Sequence, residues 1–260
     1  MNIVVLLKMV PDTVEELNVG ADGRSLDAEF LRYKLGDPDE HAIEQALLLK
    51  EKHGGTVTLV ALDAPEVDDV LFTALAKGAD RAIKLTGAES PPGTPVLAQA
   101  VAACVRGVWN PLPADTLILC GSYAIDDLEG ELAPWLATAF EIPLAMVVAG
   151  VQIEDGGRKA VVTREFFGGL RGEFELDLPA ILGIQSAEKP PRYVPIAKVR
   201  AAMKSARIDS QAAELPEPPA GLELGRMAKP EAAGHAQMLE GDPDKVADQI
   251  IEVLAQQSLI

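Results

Sequence analysis

Residues 116–143, TLILCGSYAIDDLEGELAPWLATAFEIP, carry the pattern that decides the fold. The apolar run at 116–120 is too short for a helix and stops at a glycine, so it predicts a buried strand. An acidic loop follows at 121–130, and then a helical pattern at 131–140 that ends before a proline. Open parallel sheets bind ligands at the carboxyl ends of their strands, and a helix N-terminus favours a phosphate. By itself this stretch predicts either an ordinary strand-to-helix connection or a nucleotide-binding loop.

The sequence before this stretch alternates between strand and helix patterns. Its clearest helix is Asp37–His53, for which we expect Asp37 as the N-cap, Pro38 at the first helical position and Glu40 closing a capping box. The predicted elements in chain order are strand 2–7, helix 37–53, strand 56–62, helix 66–77, strand 81–85, a helix from 94 to about 108 and strand 116–120. Alternation with short links predicts an α/β fold with a mostly parallel, Rossmann-like sheet covered by helices.

After residue 143 the strand patterns follow one another directly, separated by glycine-rich turns. The extended segments are 144–154, 159–166, 171–178 and 179–184. Consecutive strands joined by short turns predict an antiparallel meander attached to the sheet. A short basic helix at 195–207 then ends the predicted α/β domain, which comprises residues 1–207.

Residues 208–260 differ in composition and are predicted to be an extended arm with a C-terminal helix. Prolines at 216, 218 and 219 exclude regular structure in the arm. The helix at 242–256 has a single apolar stripe, and an isolated helix of this length is marginal in water. The stripe therefore packs either on the chain's own domain or on another chain, and the length of the arm favours a partner subunit.

Composition excludes several classes of function. The chain has 260 residues and a net charge of −17, which argues against nucleic-acid and anionic-membrane partners. It contains no run of 18 apolar residues, so we expect no integral membrane segment. Cys104 and Cys120 lie in separate apolar segments, which predicts reduced core residues. The N-terminus has no small-residue cleavage site, and we expect a cytoplasmic protein.

The standard short motifs of enzymes and metalloproteins are missing. The sequence contains no G-x-G-x-x-G, Walker A, H-E-x-x-H or C-x-x-C pattern. Asp126 and Asp127 are adjacent in a loop, where they are better suited to the start of a helix than to acid–base catalysis. We therefore predict no metal site and no catalytic residue.

Four stretches, in the same order, resemble the beta (small) subunit of electron transfer flavoproteins. They are LLKMVPDT at 6–13, GDPDEHAIEQALLLKEK at 36–52, TALAKGADRAIKL at 73–85, and VTREFFGGLRGEFELDLPAIL at 162–182 with PPRYV at 190–194. The resemblance covers residues 1 to about 207, and the arm and final helix also fit the family. It implies an adenine-nucleotide-binding type of α/β domain.

The resemblance also implies a function. A heterodimer with an alpha subunit would carry electrons through FAD, bound mainly by the alpha subunit, from a dehydrogenase to a quinone reductase or similar acceptor. The beta domain would hold AMP or, as in electron-bifurcating relatives, a second FAD. The C-terminal helix would pack on the alpha subunit. Such a chain is an electron carrier subunit and not a catalyst on its own.

The resemblance implies a nucleotide pocket lined in part by backbone atoms. Its residues would be Leu6, Met9, Asp63, Ser122, Tyr123, Ala124, Ile125, Asp126, Gly130, Glu131, Leu132 and Ala133. The family has a Q-T-G run where this chain has Glu131, Leu132 and Ala133. A carboxylate ~4 Å from a phosphate would cost about 4 kcal/mol at an effective dielectric constant of ~20, which weakens binding roughly a thousandfold. Either Glu131 therefore points away, or the phosphate is placed differently, or the nucleotide is absent.

A second departure lies in the loop that helps relatives to recognise dehydrogenases. This chain has Ala187 and Glu188 where an apolar anchor is expected, which disfavours the usual acyl-CoA dehydrogenase partners. Two other functions remain open. The chain could be a structural partner subunit with an empty pocket, or an adenine-nucleotide-using enzyme on the same fold, although the enzyme would lack a phosphate loop after its first strand.

Overall fold

The computed structural model of this chain describes residues 1–29, 31–88, 92–127, 130–217, 224–230, 236 and 238–260. The strands are β1 Asn2–Leu7, β2 Met9–Pro11, β3 Tyr33–Leu35, β4 Thr56–Leu62, β5 Arg81–Thr86, β6 Thr116–Gly121, β7 Leu144–Glu154, β8 Lys159–Glu165, β9 Arg171–Asp177, β10 Ala180–Ile184 and β11 Ile208–Ala212. The helices are α1 Asp37–His53, α2 Val67–Lys77, α3 Thr94–Val108, α4 Leu132–Phe140, α5 Ile196–Ser205 and α6 Pro243–Gln256, with a short 3-10 turn at Phe167–Gly169.

Nine of the described strands form one sheet in the order β11-β5-β4-β1-β6-β10-β7-β8-β9. Neighbours from β11 to β7 run parallel, whereas β8 and β9 are antiparallel to the strands beside them. The predicted fold class, a mostly parallel α/β sheet with an antiparallel extension, is confirmed.

One predicted strand has a different place in the sheet. We expected residues 179–184 to continue the antiparallel meander, but β10 pairs in parallel with both β6 and β7. All five residues of β10 are buried. A strand that is buried on both faces belongs inside a parallel sheet, so the chain returns from β9 to the interior and the prediction was wrong for this strand.

The core lies in two layers, one on each face of the sheet. Successive side chains of a strand point to opposite faces, and in β1 Ile3 and Val5 pack in the layer that contains α1 and α2. Val4 and Leu6 pack in the other layer, with α3 and α4. An apolar strand of this kind needs helices on both sides, which is the arrangement that its sequence predicted.

The start of α1 differs in detail from the prediction. Gly36, in extended conformation, is the N-cap, and Asp37 is already the first helical residue. The capping box that we expected between Asp37 and Glu40 is therefore absent, because those positions lie one residue too far into the helix. The predicted end of α1, at His53 before Gly54, is confirmed.

The C-terminal segment begins with a strand that the sequence did not indicate. Residues 208–212, which we expected in the extended arm, form β11 and pair in parallel with β5 at one edge of the sheet. The final helix is confirmed: Asp242 accepts a hydrogen bond from the N–H of Lys245 at 3.1 Å, and no residue of α6 is buried. None of the described helices is long and apolar enough to cross a membrane.

Candidate functional site

The strand order creates one crevice at the carboxyl edge of the sheet. From β1 the chain builds outward through β4 and β5 on one side, and then crosses to β6 on the other side of β1. Ligands of open α/β sheets bind outside the carboxyl ends of the strands at such a switch point. The loop after β1 and the described residues 122–127 and 130 of the loop after β6 border this crevice, and the sequence had placed its candidate nucleotide site in the second loop.

A buried carboxylate joins the two sides of the crevice. Asp39, in the first turn of α1, is 3% exposed and accepts hydrogen bonds from the N–H of Gly121, at 2.9 Å, and from the N–H of Lys8. Burial raises the pKa of Asp39 to about 7 despite these bonds. Sequence reasoning missed this residue, although the second acid of the D-P-D helix start was the available signal.

An ion pair also connects the two loops. The ammonium group of Lys8 lies 2.8 Å from a carboxylate oxygen of Asp126, and the Lys8 side chain is only 15% exposed. Lys8 was not among the predicted pocket residues, because a lysine at the end of a strand has no distinctive local pattern. The structure makes it the cation of this crevice nearest to the loop after β6.

The loop after β6 is held by its own groups. Ala124 and Asp127 exchange two backbone hydrogen bonds of 3.0 and 2.9 Å. The carboxylate of Asp127 accepts the N–H of Glu131 at 3.1 Å. Gly130 has φ +67°, and a Cβ atom there would lie 2.1 Å from the carbonyl oxygen of Ser122. The loop therefore requires glycine at 130 and an acid at 127.

The predicted pocket residues fall into four groups. Ser122, Ala124, Gly130, Leu132 and Ala133 are buried along the loop and the start of α4, whereas Tyr123, Ile125, Asp126 and Glu131 are exposed. Leu6 points into the core, and the partly buried Met9 packs against the core on the other face of the sheet. Asp63 follows β4, one strand away from β1 on the side opposite β6, where it lies 3.4 Å from Lys84.

The crevice offers few groups that could bind an anion. The first N–H groups of a helix have no partner within it, and among the described residues those of Leu132 and Ala133 at the start of α4 have no recorded acceptor, while Pro134 has no N–H. Glu131 is exposed, so water screens its charge and the cost at ~4 Å falls to about 1 kcal/mol. The penalty of about 4 kcal/mol, which applies to a carboxylate shielded from water, is therefore too large for Glu131.

The carboxylates around the crevice also make its local charge negative. Asp39, Asp126, Asp127 and Glu131 border it, against the single ammonium of Lys8 on the two loops. Among the described residues, no group of three or more His, Cys, Asp or Glu side chains is arranged to hold a metal ion. The local charge thus lowers the affinity for a phosphate without creating a cation site.

A further loop at this edge, residues 185–192 after β10, is held by one face of α1. His41 Nδ1 accepts the N–H of Ala187, and Gln45 Oε1 accepts the N–H of Glu188, each at 3.1 Å. Glu44, whose side chain is 4% exposed, accepts the N–H of Arg192 and also binds its guanidinium group at 2.8–3.0 Å. The sequence indicated the loop but not the helix that holds it.

Comparison with known proteins finds similarity along the whole chain. Residues 27–217 match the family described as the electron transfer flavoprotein domain. An electron transfer flavoprotein subunit beta from Methylophilus methylotrophus is 28% identical over 98% of this chain and 98% of its own length. The subunit beta of Bacillus subtilis (strain 168) is 28% identical over the full length of both chains. An acryloyl-CoA reductase electron transfer subunit gamma from Anaerotignum propionicum is 30% identical over 75% of this chain and 71% of its own. The similarity includes both loops that border the crevice.

Proposed function

This chain belongs to the electron transfer flavoprotein family, and we propose that it is the beta subunit of a heterodimer that carries electrons on FAD from a dehydrogenase to a quinone reductase or similar acceptor. The observation that carries the proposal is the end-to-end similarity to subunits named beta. The chain serves as an electron carrier subunit and is not a catalyst on its own. We place it in the cytoplasm, which its two buried free thiols favour.

In this proposal an alpha subunit binds most of the FAD, and the flavin supplies the redox chemistry when it is bound. The role of this chain is to cover the cofactor and to bind the partner. The unburied α6 supports such an association, because Ile250 and Ile251 remain 45% and 55% exposed. An amphipathic helix of 14 residues is marginal without packing, so we propose that α6 packs on the alpha subunit.

The crevice between β1 and β6 would hold an adenine nucleotide, either AMP or the corresponding part of a second FAD. Its phosphate would bind the ammonium of Lys8 and the N–H groups of Leu132 and Ala133. Asp126 would then have to release Lys8, with which it forms a 2.8 Å ion pair. The backbone of Ser122–Asp127 and of Met9 would surround the remainder of the nucleotide.

A second candidate is a structural partner subunit whose pocket stays empty. Two contacts favour it: Asp126 already pairs with Lys8, and Asp127 already accepts the N–H of Glu131. The chain's own carboxylates then satisfy groups that a phosphate would otherwise bind.

One experiment separates these functions. The chain is co-expressed with its alpha-type partner, the complex is purified and denatured, and the released nucleotides are identified by mass spectrometry. One FAD with AMP supports the carrier with a nucleotide in the beta domain, two FAD indicate bifurcation, and FAD alone supports the empty pocket. Absence of both a complex and FAD would refute the proposed function.

Lys8→Met tests the phosphate position in the same assay. It should remove the second nucleotide and leave the FAD of the alpha subunit in place. Lys34→Met is the matched control, because Lys34 also lies at this edge but is 39% exposed and pairs at 3.7 Å with Asp37. Equal nucleotide content in the two variants would contradict the assignment of Lys8.

A further inference from the structure

The loop at 185–192 after β10 is attached firmly at both of its ends. At the start, the N–H groups of Gln185 and Ser186 donate to the carbonyl oxygen of Val148, at 2.8 and 3.3 Å. At the end, the buried carboxylate of Glu44 accepts both the backbone N–H and the guanidinium group of Arg192. Neither attachment involves a histidine. Residues 187–191 are therefore a short segment between two fixed points.

The middle of the loop is held on α1 by two side-chain acceptors. The N–H of Ala187 donates to Nδ1 of His41, and the N–H of Glu188 donates to Oε1 of Gln45, each at 3.1 Å. Residues 190 and 191 are prolines and have no N–H to donate. Among the described residues, the N–H of Ala187 has no second acceptor. The contact of this segment with α1 thus depends on one group that titrates, His41, and on one that does not, Gln45.

The hydrogen bond from Ala187 requires a neutral imidazole. A neutral histidine has one ring nitrogen that accepts, whereas both ring nitrogens of the imidazolium ion carry a hydrogen and only donate. Protonation of His41 would therefore place two donors against each other, at Nδ1 and at the N–H of Ala187. The His41 side chain is only partly buried, so a proton can reach it from solvent. Histidine is the side chain whose charge ordinarily changes between pH 5 and 8.

The charged groups around His41 come from α1 and from the loop itself. The strands under this part of α1, β6 and β10, carry no charged residue. Residues three or four positions apart on a helix are neighbours, so α1 contributes two carboxylates, and the loop contributes one acid and one base next to Ala187. These groups are Asp37, which is 85% exposed, Glu44, which is engaged by Arg192, and the exposed Glu188 and Lys189. Loss of the bond from Ala187 therefore has to come from His41.

Asp39 is the other group of α1 that titrates in this range. Its pKa is raised to about 7 by burial, but its carboxylate faces the opposite way, toward the N–H of Gly121 at 2.9 Å. The amide of Gly121 consequently reports on Asp39, and the amide of Ala187 reports on His41. The two titrations can be followed separately in one experiment.

We propose that His41 is a pH-dependent latch for the loop after β10. The neutral imidazole holds residues 187–191 on α1, and the imidazolium ion releases them while Gln185 and Arg192 stay attached. The exposed side chains of Glu188 and Lys189 move with the segment, so this part of the surface changes its shape below about pH 6. The inference goes beyond the proposed function, because it concerns the chain by itself and holds for any partner or nucleotide.

Amide hydrogen exchange of the full-length chain, resolved by NMR at pH 8 and pH 5, tests the latch. Each rate is divided into the rate of an unstructured peptide at the same pH, which gives a protection factor. The protection factor of Ala187 in the wild type should fall at least about fivefold at pH 5, roughly the worth of one net hydrogen bond. His41→Asn puts an amide oxygen near the position of Nδ1 and does not titrate, so Ala187 should be equally protected at both pH values.

His53→Asn is the matched control, because His53 is exposed at the far end of the same helix. It should retain the pH dependence of the wild type at Ala187. An unchanged protection factor in the wild type, which requires no substitution, would overturn the proposal. An equal fall in wild type and His41→Asn would assign the effect to another group, and an equal fall at Arg192 would show that the whole loop detaches; either result would also overturn the latch.

Discussion

The contact between Glu44 and Arg192 leads to a sharp prediction about stability. Glu44 on α1 is 4% exposed, and its carboxylate binds both the backbone N–H and the guanidinium group of Arg192. Arg192 is 29% exposed and also pairs with Glu51, which is 57% exposed. These two carboxylates raise the pKa of Arg192. The substitution Glu44→Gln keeps the volume of the side chain but removes its charge.

The expected loss of stability depends on the contacts that Arg192 keeps after the substitution. Removal of one partner from a fully buried ion pair costs about 3–5 kcal/mol. Arg192 keeps Glu51 and some contact with water, and screening reduces the loss, so we expect Glu44→Gln to lower the free energy of unfolding by about 2–3 kcal/mol. Glu51→Gln is the matched control. Because Glu51 is exposed, this substitution should lower the free energy of unfolding by less than about 1 kcal/mol.

Urea unfolding of the full-length chain, followed by circular dichroism, measures this difference. With a slope near 2–3 kcal/mol per molar urea, Glu44→Gln should shift the midpoint down by about 1 M. Hydrogen exchange should also accelerate at the amides of Ala187, Glu188 and Arg192, because Glu44 holds that loop on α1. Equal midpoints for Glu44→Gln and Glu51→Gln, or unchanged exchange in the loop, would refute the reasoning.

Three further predictions concern the crevice. The folded pKa of Asp39 is raised to about 7 from 3.8, so its contribution to stability is full below pH 4 and is lost as the pH rises to 7. Between pH 4 and pH 8 the free energy of unfolding of Asp39→Asn should therefore rise by about 4 kcal/mol relative to that of the wild type; urea unfolding at both values checks this, and an unchanged difference between variant and wild type would contradict it. Gly130→Ala should cost about 1–3 kcal/mol through its positive φ alone, with more from the clash with Ser122. Thermal unfolding should show no comparable loss for Gly107→Ala, a helical position with no atom within 4 Å of the added Cβ. Glu131→Gln should raise the affinity for AMP by no more than about fivefold, because the carboxylate is exposed. Calorimetry measures this affinity, and an increase near a thousandfold would show that Glu131 repels the phosphate without screening by water.

Most of the fold was predictable because it depends on local patterns of apolar and polar residues. Apolar runs such as Asn2–Leu7 and Thr56–Leu62 have the length and composition of strands buried on both faces, and the structure has both with the predicted bounds. The place of β10 was not predictable in this way. A short apolar run looks the same whether it continues a meander or inserts between distant strands.

The candidate site likewise has a part that local sequence patterns predicted and a part that they did not. The loop at 121–130 was visible because a strand, an acidic loop and a helix follow one another in sequence. Asp39 and Lys8 were missed because their partners are remote: the bond from Gly121 to Asp39 joins residues 82 positions apart. The exposure of Glu131, which weakens its effect on a phosphate, likewise has no signature in sequence.

By itself, then, the sequence determined the α/β alternation, the bounds of most elements, the acidic loop after β6 and the resemblance to electron transfer flavoprotein beta subunits. Each of these depends on residues close together in the chain or on motifs that keep their order. Only the tertiary structure decided that Asp39 joins β1 to β6, that α1 holds the loop after β10, and that His41 accepts the N–H of Ala187 in that loop. These depend on which segments meet after folding, and the hydrogen bonds and burial that settle them arise only when distant residues are brought into contact.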